Sequence, residues 1–367
     1  MELAIIVIGI LLTMAYFYLK CTPMSSLSTL LASIFALIIA FSWYEKITEL
    51  FISRGYGVDW AHFGCFLLSF ILTFALLRAL ADLLVGVNID LGKPVKLITA
   101  LVCGFLTGII LTGTLLVALG MLPLQGKVFY SRFDPSKPVS LNSPKVPLLN
   151  ADGFVVGLYR LVSAGSMSSG KSFGVVHADF LKQIHLNRLR VQEGVLTVSS
   201  RKALILPSGK NQKPVREWDI PNRGKLTVVR MGIVARNIAD GGANNSSGQI
   251  QFFPGQIRMI CKPSGTDAKK MLAGSGKAIW PVGFIEGGKL VEKHLEEIIT
   301  PETKGLKDRT IWLDAAFDVP QGQEGVLLQF KQYAMVQLPK AVSTSDEVEK
   351  ALLEGSAEAN AESSPTE

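Results

Sequence analysis

The chain has 367 residues, a formal net charge of +7 and 49% hydrophobic residues, with a mean hydropathy of +0.34. That length accommodates two domains, and that hydropathy is too high for a chain that is soluble throughout. Charge divides it into a net-neutral block at 1–124, a basic body at 125–340 (+13) and an acidic tail at 341–367 (−6). Three of the four cysteines, Cys21, Cys65 and Cys103, lie in the apolar block, so the body with Cys261 alone is no disulfide scaffold. No Cys/His spacing suggests a metal site, and no cofactor is implied.

The first 124 residues predict four membrane-spanning helices, at 3–19, 27–44, 61–85 and 95–122, each near the ~20 residues that ~30 Å of hydrocarbon requires. Glu2 stands where a signal peptide carries basic residues, so the first segment reads as a span that turns at Thr22-Pro23 into the second. Trp43, Tyr44 and Trp60 mark interfaces. The stretch 45–57 between them, with Ile47, Leu50 and Phe51 on one face, predicts a short amphipathic helix in the headgroups. Arg78 and Asp82, four apart near the end of the third span, form an intramembrane charge pair at the rim. Gly104, Gly108, Gly113 and Gly120 make the fourth span a close-packing helix, either within the bundle or in a homodimer. With four spans both termini share one side, and loop cations favour the cytoplasm by a narrow margin.

Two stretches give this block a family likeness. One is LLASIFALIIAFSWYEKITELF. The other is LLRALADLLVGVNIDLGKPVKLITALVCGFLTGIILTGTLLVALGMLPL. Their order resembles the colicin V production protein family of small four-helix membrane proteins. The likeness covers the first third of the chain. It implies a bacterial inner-membrane location and a link to export of, or envelope tolerance towards, a peptide toxin. It carries no catalytic residues. Many members have Arg-Gly-Phe where this chain has Tyr18-Leu19-Lys20-Cys21.

Residues 125–150, rich in Pro, Ser and Lys, read as a linker, and 151–189 as a two-helix connector in which Asp152 caps the first helix. Between the helices, GSMSSGKS at 165–172 matches the phosphate-loop pattern through Gly165, Gly170, Lys171 and Ser172. A phosphate loop leaves a buried strand and enters a helix, whereas the segment before this one predicts a helix, so the match reads as a Ser/Gly turn. His177 and Asp179 beside Ser168 or Ser172 can be drawn as a hydrolase triad, but no nucleophile-elbow motif frames either serine. No catalytic residue is assigned.

From 190 to 340 the pattern predicts strands, at 195–198, 203–206, 226–235, 250–253, 257–261, 279–285, 310–317, 326–330 and 334–338. One amphipathic helix is expected at 290–299, and a loop tip at 239–248. The expected fold is a four-helix membrane bundle followed by an antiparallel β-sandwich, immunoglobulin-like in strand number, with a disordered acidic tail. The scattered cations carry no nucleic-acid motif. The expected partners are the bilayer and either an anionic membrane surface or an envelope protein, bound by a non-enzymatic anchor. A small transporter or channel component regulated by the β-domain is the alternative, and a membrane-anchored NTPase the remote one.

Overall fold

The computed structural model describes residues 2–54, 58–84, 92–124, 130–134, 136–165, 170–208, 212–220, 223–234, 251–300 and 310–343. The loop tip at 239–248 and the tail beyond 343 lie outside these residues, as do 166–169 of the glycine-serine loop.

Four helices are long and apolar enough to cross a membrane: α1 (Glu2–Lys20), α2 (Pro23–Ser53), α3 (Val58–Leu84) and α4 (Lys93–Met121). The α1–α2 turn sits where the sequence places it. Thr22 caps α2 by accepting from Ser25 N at 3.3 Å, and Pro23 starts the helix, where no N–H is needed. α4 is the central helix, in contact with α1, α2 and α3. Its glycines explain how. A side chain at Gly104 or Gly108 would meet the α1 backbone at Met14 or Ile10, about 3.0 and 2.9 Å away.

α2 runs 31 residues, about 46 Å at 1.5 Å per residue, and so outruns a ~30 Å hydrocarbon layer. The separate interfacial helix expected at 45–57 is, as far as Ser53, the continuation of α2. No Gly or Pro interrupts 44–53, and the buried stripe there is Tyr44, Thr48 and Ile52, one per turn. Leu50 and Phe51 stay exposed.

Three shorter helices follow: α5 (Ala151–Ala164), α6 (Phe173–Val176) and α7 (Phe180–Asn187). They form a layer between the bundle and the strands. On one side Val155, Tyr159, Phe173, Phe180 and Ile184 share a core with Phe41, Phe66 and Val117 of the spanning helices. On the other, Val175, Ala178 and Leu186 pack on Ile260, Val326 and Leu327 of the first sheet. Of the stretch read as a linker, Tyr130, Arg132 and Phe133 are buried. Asp152 does not cap α5. It accepts from Tyr130 (2.7 Å) and twice from Arg132 (3.0 and 2.8 Å).

The strands form two sheets. A four-stranded antiparallel sheet runs β10–β9–β4–β5, from β4 (Ile257–Pro263), β5 (Lys277–Ile279), β9 (Gln323–Phe330) and β10 (Ala334–Gln337). A seven-stranded sheet runs β11–β2–β3–β8–β6–β7, with β1 (Leu204–Ile205) also on β3. Its strands are β2 (Val215–Ile220), β3 (Gly224–Val234), β6 (Pro281–Glu286), β7 (Lys289–Glu292), β8 (Thr310–Phe317) and β11 (Val342–Ser343). All its pairings are antiparallel except β11 on β2. Alternate residues fix the faces: Val229, Met231 and Phe317 join Met259, Leu328 and Phe330 of the other sheet in one core.

Three expectations fail locally, the first being the strand at 250–253, where the described residues make a single bridge from Phe252 to Ile299. Residues 195–198 form no strand. Residues 290–299, expected as a helix, begin with β7 and then turn. Gly287 (φ 55°) and Gly288 (φ 77°) supply the two positive-φ residues of a tight hairpin, which commits the following residues to pair with β6.

Candidate functional site

The residues singled out in the sequence do not converge. Arg78 pairs with Asp82 at 2.6 Å and donates to Ser25 Oγ at 2.9 Å, at the bundle end remote from the body. The α4 glycines are engaged within this chain: Gly104 and Gly108 by α1, Gly113 by Ala151 of α5, and Gly120 by Ile184 and His185 of α7. Gly165 and Gly170 lie between helices, not after a strand. Ser172 donates both its N–H (2.8 Å to Leu272 O) and its hydroxyl (to Gly274 O) to backbone carbonyls, and Lys171 precedes it on the exposed side. The triad drawn from His177 does not assemble, because Asp179 accepts from Ala278 N (3.3 Å) and His177 turns to α2. Ser168 lies outside the described residues.

Two other places gather chemistry. The first is a polar junction between the bundle and the body. Glu45, one turn past the apolar part of α2, meets His177 Nε2 at 2.6 Å. His177 Nδ1 lies 3.2 Å from Gln183 Oε1, and Gln183 Nε2 donates to Lys331 O. A carbonyl only accepts, so Gln183 turns its oxygen to His177 Nδ1, while Nε2 of the same ring faces the Glu45 carboxylate. Tyr44 OH donates to Glu45 Oε1 (3.1 Å) and Tyr333 OH to Glu45 O (3.0 Å). His62 stands between the rings of Tyr44 and Tyr333, with no hydrogen-bond partner at either nitrogen. Burial pushes the Lys331 ammonium down to about 7 and the Arg258 guanidinium to about 9. Arg258 meets the carbonyls of Ala178 (2.5 Å) and Val176 (3.2 Å) and so caps the end of α6. Arg188 does the same for α4, donating to Leu119 O at 2.7 Å. With both nitrogens of His177 committed, this arrangement fastens the two parts together.

The second place is a groove of about 730 Å³ on the far sheet, lined by Trp218, Ile220, Arg223, Ile285, Leu290 and Glu292 among others. Trp218 and Ile220 belong to β2 and Leu290 and Glu292 to β7, with three strands between them in the sheet order. Yet Arg223 reaches Glu292 in an ion pair. The sheet therefore curls until its flanks approach, as strongly twisted sheets do. Leu226, Val228 and Ala316 form the apolar floor of the curl, and Arg223, Lys289 and Glu292 rim the groove. The segment VREWDI at 215–220 carries three charges, which hides its strand character in the sequence. Its signal was the alternation of Trp218 and Ile220 with charged neighbours.

Among the described residues, no group of three His, Cys, Asp or Glu side chains is placed to hold a metal. Comparison with protein families, with curated proteins and with solved structures finds no match. The likeness to colicin V production proteins therefore rests on the quoted stretches alone.

Proposed function

We propose that this is a non-enzymatic, multi-pass inner-membrane protein that holds a β-rich binding module rigidly on one end of its bundle. The module is read as a sandwich of the two sheets, and its curled outer sheet binds an extended segment of a partner envelope protein. The groove carries this reading. An apolar floor with an aromatic wall and a charged rim has the composition of a recognition surface. The anchor half of the reading draws on the shared core of bundle and connector helices.

The transport alternative has less support. Several hydroxyls of the bundle bond their own helix, Thr13 to Gly9 O, Thr29 to Ser25 O, Thr112 to Gly108 O and Thr114 to Ile110 O, while Ser42 bonds both Ile38 O and Tyr159 OH and the Thr48 and Thr107 hydroxyls have no hydrogen-bond partner among the described residues. The pocket of about 270 Å³ that Thr13, Thr29 and Thr107 line is otherwise walled by Leu12, Tyr16, Phe17, Phe74 and Leu111, a mostly apolar lining that suits a solute path poorly. Loop charges favour the cytoplasmic side for the body, which compartment-specific reporters fused to the C-terminus test.

A photoreactive amino acid at Leu290, in the full chain in cells, tests the groove. A discrete protein adduct is expected, absent with the probe at Val342 and weakened by Trp218→Ala. Equal labelling from Leu290 and Val342, or no protein adduct from Leu290, would overturn the reading.

A further inference from the structure

Exposed apolar residues are abundant on the spanning helices, as lipid-facing residues should be. Beyond residue 105, the described large apolar side chains that stand exposed are seven: Val146, Leu148, Leu149, Phe154, Leu161, Trp312 and Val342. Five of the seven fall within 146–161, in and just before α5. A water-soluble surface rarely concentrates them so.

Depth decides what covers them. α1 has 19 residues and rises about 28 Å, slightly less than the ~30 Å of hydrocarbon, so its whole length is needed to cross. Ile6 and Ile10 then lie roughly 6 and 12 Å inside its body-side end. Ala151, the first residue of α5, packs in one core with Ile6, Ile10 and Ile109. It also sits against Gly113 of α4, eight residues short of the end of that helix. At its other end α5 stacks Tyr159 on Phe41, ring centroids 4.8 Å apart, just below the exposed Trp43 of α2. The start of α5 thus lies inside the acyl-chain boundary and Tyr159 close to it, so the helix lies along the interface at a slant.

The polar groups behave as that depth requires. Asp152 is fully buried and held by Tyr130, Arg132 and Gly153 N. Arg132 also donates to Asn150 Oδ1 at 2.8 Å, just where the chain enters the helix. Non-helical backbone at membrane depth is tolerated where protein satisfies it in this way. The buried face of α5 is Ala151, Val155, Tyr159 and Ser163; the opposite face is Phe154, Gly157 and Leu161, with Arg160 the one charge among them. Arg160 is long enough to reach headgroups from that position.

We propose that α5 and residues 146–149 form a fifth membrane-embedded element, an interfacial helix whose Phe154–Leu161 face and preceding leucines are covered by lipid acyl chains. This deepens the anchor half of the proposed function and is independent of the groove, so either fails without the other. The anchor then holds the body to the bilayer by a second, interfacial contact.

Leu161→Cys and Phe154→Cys, labelled with an environment-sensitive fluorophore in the full chain in liposomes, test it. The native cysteines are all buried and leave the label selective. Gly157→Cys places the same label where an added side chain meets no atom within 4 Å, which guards against a misfolded variant. Trp312→Cys is the reference on the body. Lipids with a nitroxide high on the acyl chain should quench the α5 labels about threefold more than the reference, and aqueous iodide should do the reverse. Iodide quenching at α5 equal to that at Trp312 would overturn the proposal. So would α5 labels that neither quencher reaches, because protein would then cover the face.

Discussion

The two ends of the bundle each carry an acid–base pair, and they are built differently. At the far end Arg78 and Asp82 are one turn apart on α3, with Asp82 about half exposed. At the body end Glu45 and His177 stand 132 positions apart in sequence and are held among Tyr44, Gln183 and Tyr333. The first pair decorates one helix. The second fastens two parts of the chain. A local pair near water adds little to stability, whereas a distant, enclosed pair makes the docking of body on bundle specific.

Substitutions sharpen the contrast, beginning where burial is most complete. Asp152→Ala strands Arg132, and the full chain in nanodiscs should lose roughly 3–5 kcal/mol of stability, read as a large fall in melting temperature. Glu45→Ala takes the carboxylate away from the buried His177 and should lose about 2 kcal/mol, with Glu45→Ala/His177→Gln recovering part of it. Lys331→Met tests the same junction with the opposite sign. Its ammonium is pushed to about 7 in the fold and titrates near 10.5 when unfolded. The unfolded chain therefore holds the extra proton between those values, and the native chain gains stability as pH rises through that window. The variant should melt higher than the parent at pH 7 and below, by on the order of 5 kcal/mol, and the difference should vanish above pH 10.5. Arg78→Gln and Asp82→Asn should each change stability by less than about 1 kcal/mol. A loss there as large as that of Glu45→Ala would break the comparison.

The same contrast explains what was legible in the sequence. Spans, the Thr22-Pro23 turn, the Arg78–Asp82 pair and the close-packing glycines of α4 are local patterns of spacing and composition, and they can be read directly. Nothing local joins Glu45 to His177 or Trp218 to Leu290, since those contacts arise when a sheet curls or a layer docks. Leu290, Val291, Leu295 and Ile299 imitate a helical stripe, and the hairpin at Gly287-Gly288 overrides it. Ile47, Leu50 and Phe51 make 45–57 read as a headgroup helix, whereas the described residues buried there are Thr48 and Ile52.

Body and bundle are expected to move as one rigid unit joined at Glu45 and His177. Spin labels at Leu72 on the lipid-facing side of α3 and at Trp312 on the body measure it most directly, by the distance distribution between them in nanodiscs. One narrow distance is expected, broadened by Glu45→Ala and unchanged by Asp82→Asn. A broad distribution in the parent chain would contradict the account and return the body to the end of a flexible tether.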